Sequence, residues 1–238
     1  MRVAVVTPYW KESTEVLERN HKSVMSQTHC DLVHYMIQDG NPFNSVGVLA
    51  GWDITHVQLP HCGDYGDTPR LVGCALADAA GVDAIVLLDA DCWLEPEHIA
   101  NMVKRMQETG AAIVTCPRNL WRMDGTEMGV DSESNGIHFN DTNCYLVSRE
   151  AFYLFRQWGL KDRKLCIVDD RVFWKAVQES GLKITRNPTA TVNYPTSFAF
   201  HYEVAGEKVP DGAKVIVGSG SDYKMVSYPE FLTMRDSA

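Results

Sequence analysis

Short apolar runs alternate with amphipathic stretches through the first half of the chain, the pattern of strands joined by crossover helices. Val3 to Thr7 reads as a first strand, a helix follows from Ser13 or Thr14, and Leu32 to Ile37 reads as a second strand ending at Gln38-Asp-Gly40. Thr68 is placed to cap a further helix with Pro69 in its first position, and Leu71, Val72, Ala75, Leu76 and Ala79 share one helical face. Ala84 to Leu88 is apolar at every position, as expected of a strand covered on both faces. After it Pro96 opens a helix in which Ile99, Met102, Val103 and Met106 follow helical spacing, and Gly110 ends it before a strand from Ala112 to Thr115.

The second half is less regular. Asn119 to Asp141 is a long polar stretch, and a connection of that length inside a compact domain is usually functional or mobile; it reads as substrate-facing. Asn143 to Val147 is a strand, Ser148 caps a helix carrying Ala151, Phe152, Phe155 and Trp158, and Asp169 to Ser180 is a helix closed by Gly181. Strands near Ile184 and Val192 follow, and the glycine- and serine-rich region from Gly206 to Asp222 reads as flexible. The expected fold is therefore α/β: one domain with a mostly parallel central sheet flanked by helices.

The 238 residues suffice for a sizeable core, and a formal net charge of −9 argues against a protein that grips nucleic acid through a basic groove, while leaving a local basic pocket open. Seven widely spread cysteines, never in a C-x-x-C pair, favour reduced thiols in a cytoplasmic setting over a zinc site. No run of about 18 apolar residues occurs, so a soluble protein is expected, with peripheral membrane contact left open.

Chemistry concentrates at Asp89-Ala-Asp91, directly after the apolar run. Residues two apart in extended chain project to one side, so both carboxylates can converge where the carboxyl ends of strands form a ligand crevice. Two hard oxygen donors there suit Mg²⁺ or Mn²⁺ together with ligand phosphates. The competing reading is a chance D-x-D triplet.

Leu87-Leu-Asp-Ala-Asp-Cys92 resembles the aspartate motif of family 2 glycosyltransferases, which have the Rossmann-like GT-A fold. Val5-Val-Thr-Pro-Tyr9, Ile37-Gln-Asp-Gly40, Asp67-Thr-Pro-Arg-Leu71 and Val168-Asp-Asp-Arg171 resemble other motifs of that family, in the same order, over roughly residues 3 to 186. Two departures stand out: Gln38 replaces an acidic residue, and Asp169-Asp170 stands where Glu-Asp is usual. The resemblance implies a nucleotide-diphosphate sugar donor, preferentially uridine-linked, contacted by Thr7, Pro8, Tyr9, Asp39, Arg70, Asp89, Ala90 and Asp91. It also implies a nucleotide-sugar-binding half (1–116) and an acceptor-binding and catalytic half (117–205), to which the composition of the remainder adds a flexible C-terminal segment (206–238). Asp170, beside Asp169, would be the catalytic base, unless the pair merely caps its helix. His201 would join Asp89 and Asp91 as a third metal ligand, or else pack beside Phe198 and Phe200. Trp121, His138 and Asn140 are candidates for an acceptor site, with Trp93 as a further aromatic face.

Two rival readings share these residues. A sugar-phosphate nucleotidyltransferase normally opens with a glycine-rich loop, whereas the turn here is Thr7-Pro-Tyr-Trp-Lys11. A silent nucleotide- or glycan-binding module of the same fold would have no need of Asp89, Asp91 and Asp170 together. P-loop, dinucleotide-binding and serine-hydrolase motifs are absent from the sequence.

Overall fold

The computed structural model describes residues 1–40 and 49–236. Its strands in chain order are β1 (Val3–Tyr9), β2 (Leu32–Asp39), β3 (Thr55–Leu59), β4 (Ala84–Leu87), β5 (Trp93–Leu94), β6 (Ile113–Thr115), β7 (Arg118–Trp121), β8 (Glu127–Val130), β9 (Tyr145–Ser148), β10 (Ile184–Arg186), β11 (Val192–Pro195), β12 (Lys214–Ser219) and β13 (Asp222–Ser227). The principal helices are α1 (Thr14–Met25), α2 (Asp67–Ala79), α3 (His98–Thr109), α4 (Asp169–Glu179), α5 (Ala199–Val204) and α6 (Tyr228–Asp236).

Seven strands form the central sheet in the order β10-β6-β9-β4-β1-β2-β3. β1 runs parallel to both β2 and β4, β2 to β3, and β6 to β10, while β9 alone is antiparallel, between β4 and β6. The expected mostly parallel sheet is thus present. β4 is buried on both faces: Ile85 and Leu87 join the core that holds Cys74 and Ala77 of α2, and Ala84, Val86 and Leu88 join the core beneath Ile99, Met102, Val103 and Met106 of α3. Gly110 ends α3 in the left-handed conformation, as its position after the apolar stripe predicts.

Parallel pairing brings the ends of β1, β2 and β4 to one edge. The antiparallel strand β9 begins at that same edge. Its register with β4, Ala84 opposite Ser148 and Val86 opposite Leu146, continues to place Asn143 beside Asp89.

Four expectations need correction. The buried stripe of α2 is Pro69, Arg70, Gly73, Cys74 and Ala77, not the aliphatic face, because Gly73 lets the helix lie close on β1 and β2. That helix starts at Asp67, and Thr68 bonds back to the Asp64 carboxylate in place of capping. The polar stretch after Asn119 contains an antiparallel pair, β7 with β8, within a second sheet ordered β5-β11-β7-β8. Residues 206–236, expected to be flexible, include the β12–β13 hairpin and α6, since the β-branched run Val215-Ile-Val217, with Ile216 paired to Met225 and Val215 to Val226, outweighs the glycine-rich turn. All seven cysteines are free thiols, and no described helix is long and apolar enough to cross a membrane.

A side chain added at position 73 would run into Val6 and crowd Ile37. Gly73→Val is expected to cost about 2 kcal/mol through overpacking, read as a lowered midpoint in urea denaturation.

Candidate active site

Two cavities open at the carboxyl edge of the central sheet and share Tyr65, Arg70 and Asp89. The first, about 530 Å³, is lined by Pro8, Tyr9 and Trp10 from the end of β1, Asp39 from β2, and the Asp89-Ala-Asp91 turn after β4. The second, about 950 Å³, lies beyond Arg70 against Asp141, Asp169, Asp170 and residues of α4, α5 and the C-terminal hairpin.

Arg70 joins them. Its guanidinium is buried, donates to the Asp89 carboxylate at 2.6 Å and the Asp169 carboxylate at 3.0 Å, and also reaches the Tyr65 carbonyl at 3.0 Å. Burial works against its charge, but Asp89 and Asp169 outweigh burial and hold it protonated well above its ordinary range. Gly66, in the left-handed conformation at the start of α2, makes room: a Cβ there would press on Arg70 and Pro8, each at 3.3 Å.

The Asp89-Ala-Asp91 turn is fixed from behind. The Asn143 side chain accepts from the Asp89 amide at 2.5 Å and donates to the Asp89 carboxylate at 3.0 Å. Asn20 donates to the carbonyls of Asp89 and Cys92 at 3.0 and 2.9 Å, and Arg19 donates to the Asp91 carbonyl at 2.6 Å. Asp91 itself is exposed at the mouth of the first cavity. The bulk of the surrounding protein, with Asp89 and Glu12 nearby, pushes its carboxyl up to about 6. Desolvation at so open a position is partial, so the residual cause to weigh is uncompensated negative charge.

That charge balance tests the fit of a divalent cation. Asp89 is already neutralised by Arg70, whereas Asp91 adds a carboxylate that no described cation offsets. Hard oxygen donors from one or two carboxylates, completed by ligand phosphates, are what Mg²⁺ and Mn²⁺ take, so the turn fits such an ion. His201 does not belong to this set. It is buried, with Nδ1 on the Thr196 hydroxyl at 2.6 Å and Nε2 facing Asp131 and Arg118, and burial with Arg118 lowers it to about 4. Among the described residues no three His, Cys, Asp or Glu side chains stand together as a metal cluster.

Asp169 and Asp170 open α4 but differ in duty. Asp169 is engaged by Arg70. The Asp170 carboxylate accepts from the Arg171 amide at 2.7 Å and faces the larger cavity. Burial and the Asp141 charge raise it to about 6, outweighing Arg171 and Arg118, so at the start of its helix the carboxylate is more basic than the helix dipole alone implies.

The remaining expected residues divide. Pro8, Tyr9, Asp39, Arg70, Asp89, Ala90 and Asp91 line the first cavity, and His138 the second. Thr7 does not line either: it is fully buried, bonding His34 at 3.0 Å and Asn20 at 3.4 Å, because β1 turns it to the α1 side. Trp121 sits in the second sheet against Trp93, its indole N–H on Asn193 at 2.9 Å, and Asn140 is buried on backbone carbonyls of Asp141 and Cys144. Sequence reasoning missed Asn143, Asn20, Asp141, Arg118 and the Trp10–His61 stack at the first cavity (centroids 5.0 Å apart). Arg118 is buried between Asp131 and Asp141, with its guanidinium over Tyr194. The one available signal was Asn140-Asp-Thr-Asn143, four polar residues immediately before an apolar strand.

Comparison with known proteins agrees with this architecture. The family described as "Glycosyl transferase family 2" matches residues 4–206. Among solved structures, S. aureus TarS residues 1–349 in complex with UDP superimposes with a TM-score of 0.64 at 13% identity, covering 86% of this chain and 63% of that one. A longer S. aureus TarS structure gives a TM-score of 0.66 at 14% identity, covering 86% and 38%, and a TarS 1–349 complex with UDP-GlcNAc gives 0.63 at 13%, covering 86% and 64%. The chain thus spans less than two thirds of those chains, and no curated protein matches it.

Removing the shared cation leaves the Asp89 and Asp169 carboxylates without the charge that offsets them. Arg70→Met is expected to destabilise the fold by about 3 kcal/mol, the scale for breaking one side of a buried pair, as measured by urea titration.

Proposed function

Because this chain belongs to glycosyl transferase family 2, we propose that it transfers a sugar from a nucleotide-diphosphate sugar, uridine-linked by analogy with the TarS complexes, to an acceptor hydroxyl. The observation that carries this reading is the meeting of two cavities at Arg70 and Asp89, with Asp91 on one side and Asp170 on the other. In it the first cavity takes the donor and the second the acceptor.

Pro8, Tyr9, Trp10 and Asp39 hold the nucleotide, and the stacked Trp10 and His61 offer flat faces to its base. Asp91, with Asp89, would hold Mn²⁺ or Mg²⁺ against the diphosphate, where a bound ion offsets charge on the leaving group. Arg70 adds a fixed positive charge at the point where diphosphate and sugar meet, and its bonds to Asp89 and Asp169 keep it from swinging away. Asp170 takes the proton from the acceptor hydroxyl as that oxygen bonds to the anomeric carbon and the diphosphate departs. One displacement of this kind inverts the anomeric centre. A carboxyl near 6 is largely ionised at neutral pH yet more basic than an ordinary aspartate, which suits a general base.

The test is release of UDP from UDP-GlcNAc and UDP-glucose by the full chain with Mn²⁺, alone and with hydroxyl acceptors; no release from any nucleotide sugar would remove the reading. Asp170→Asn is expected to keep UDP affinity and lose about 10²-fold or more in transfer. In the unaltered protein, transfer should fall as pH drops through about 6, because protonated Asp170 cannot accept a proton. A flat profile between pH 5 and 8 contradicts that role. Asp91→Ala should abolish the Mn²⁺-dependent part of UDP binding in calorimetric titration, while His201→Gln should leave it intact.

A further inference from the structure

The family match ends at residue 206, yet residues beyond it build one wall of the larger cavity. The β12–β13 hairpin and α6 contribute Lys214, Val215, Ile216, Met225 and Phe231 to that wall. Ile216 and Met225 stand opposite one another in the hairpin register, and they, Val215 and Phe231 are each only partly buried. Phe198 and Phe200 of the neighbouring segment extend the apolar surface, Phe200 being 46% exposed. The polar lining of the cavity includes Asp141, Asp169 and Asp170, together with Lys175, Glu203 and, within the hairpin wall itself, Lys214.

Resting on the proposed transfer, we infer that the acceptor carries its reactive hydroxyl next to an aryl or alkyl group, and that the C-terminal hairpin is the element that selects it. A hydroxyl in reach of Asp170 leaves the rest of the acceptor lying along the hairpin wall. A further sugar ring seated against Val215, Ile216, Met225 and Phe231 would bury hydroxyls where Lys214 alone of the hairpin wall offers a hydrogen-bonding side chain, so most of those hydroxyls lose water without a replacement. An aryl or alkyl group removes its own apolar surface and that of the wall from water together. At about 950 Å³ the cavity is large enough for a ligand of drug-like size, well beyond a small polar fragment.

The experiment compares binding of p-nitrophenyl and n-octyl β-glucosides with methyl β-glucoside to the full chain saturated with UDP and Mn²⁺, by calorimetry. The aryl and octyl compounds are expected to bind at least about 10-fold more tightly than the methyl one, from the apolar surface they bury. In the double variant Ile216→Asn, Met225→Gln that ratio should fall towards one. Equal affinity of the three probes for the unaltered protein, or no binding of any at millimolar concentration, overturns the inference, as does an unchanged ratio in the folded double variant. Tighter binding of an oligosaccharide such as cellotriose than of the aryl glucoside overturns it in favour of a glycan acceptor. UDP release from the donor without acceptor is measured alongside: it stands or falls with the transferase reading, independently of which probe binds.

Discussion

One buried guanidinium organises the site. Arg70 is carried inward on a helix face that would ordinarily be aliphatic, and it bonds carboxylates 19 and 99 residues away in the chain, Asp89 and Asp169. A lone cation at that depth would be prohibitive, and two unpaired carboxylates equally so; together they are tolerable. The group that satisfies their charge is therefore also the group that fixes the end of β4 relative to the start of α4. Gly66 and Gly73 are the corresponding steric conditions, one clearing space for the guanidinium and the other letting its helix approach the sheet.

Charge around that bridge is graded. Asp89 and Asp169 are spoken for by Arg70, and Asp67 by Lys161. Burial nevertheless outweighs Arg70 and, with Asp170 and Asp67 nearby, holds Asp169 well above the ordinary carboxylate range, while Asp91 and Asp170, one on each side, are raised to about 6. In the proposed transfer, the raised Asp91 carboxyl is the one a cation would relieve and the raised Asp170 carboxyl the one that would accept a proton.

Much of this was legible in the sequence where the physics is local. The uniformly apolar Ala84–Leu88 run, the α3 stripe closed by Gly110, and the aspartates at the strand end all follow from periodicity and placement. What failed depended on partners distant in the chain. The buried face of α2 was misread because apolar counting cannot anticipate a helix that buries Arg70 and Gly73 and exposes Leu76. Asn143 gains its role only through antiparallel register with β4, and His201 loses the ligand role once Thr196, Arg118 and Asp131 surround it. The C-terminal hairpin was hidden by its glycine-rich turn, although β12 carries the β-branched run Val215-Ile-Val217.

In the proposed transfer, the Asp89-Ala-Asp91 turn and Arg70 hold the donor's diphosphate on the side of the bridge opposite to Asp170. Crystals of the protein grown with UDP and Mn²⁺, with data collected near the manganese absorption edge, test this directly. An anomalous peak is expected beside the Asp91 carboxylate, bonded to diphosphate oxygens within reach of Arg70, with the uracil in the cavity lined by Tyr9, Trp10 and Asp39. A peak at His201, or a nucleotide seated in the larger cavity against the hairpin, would contradict it.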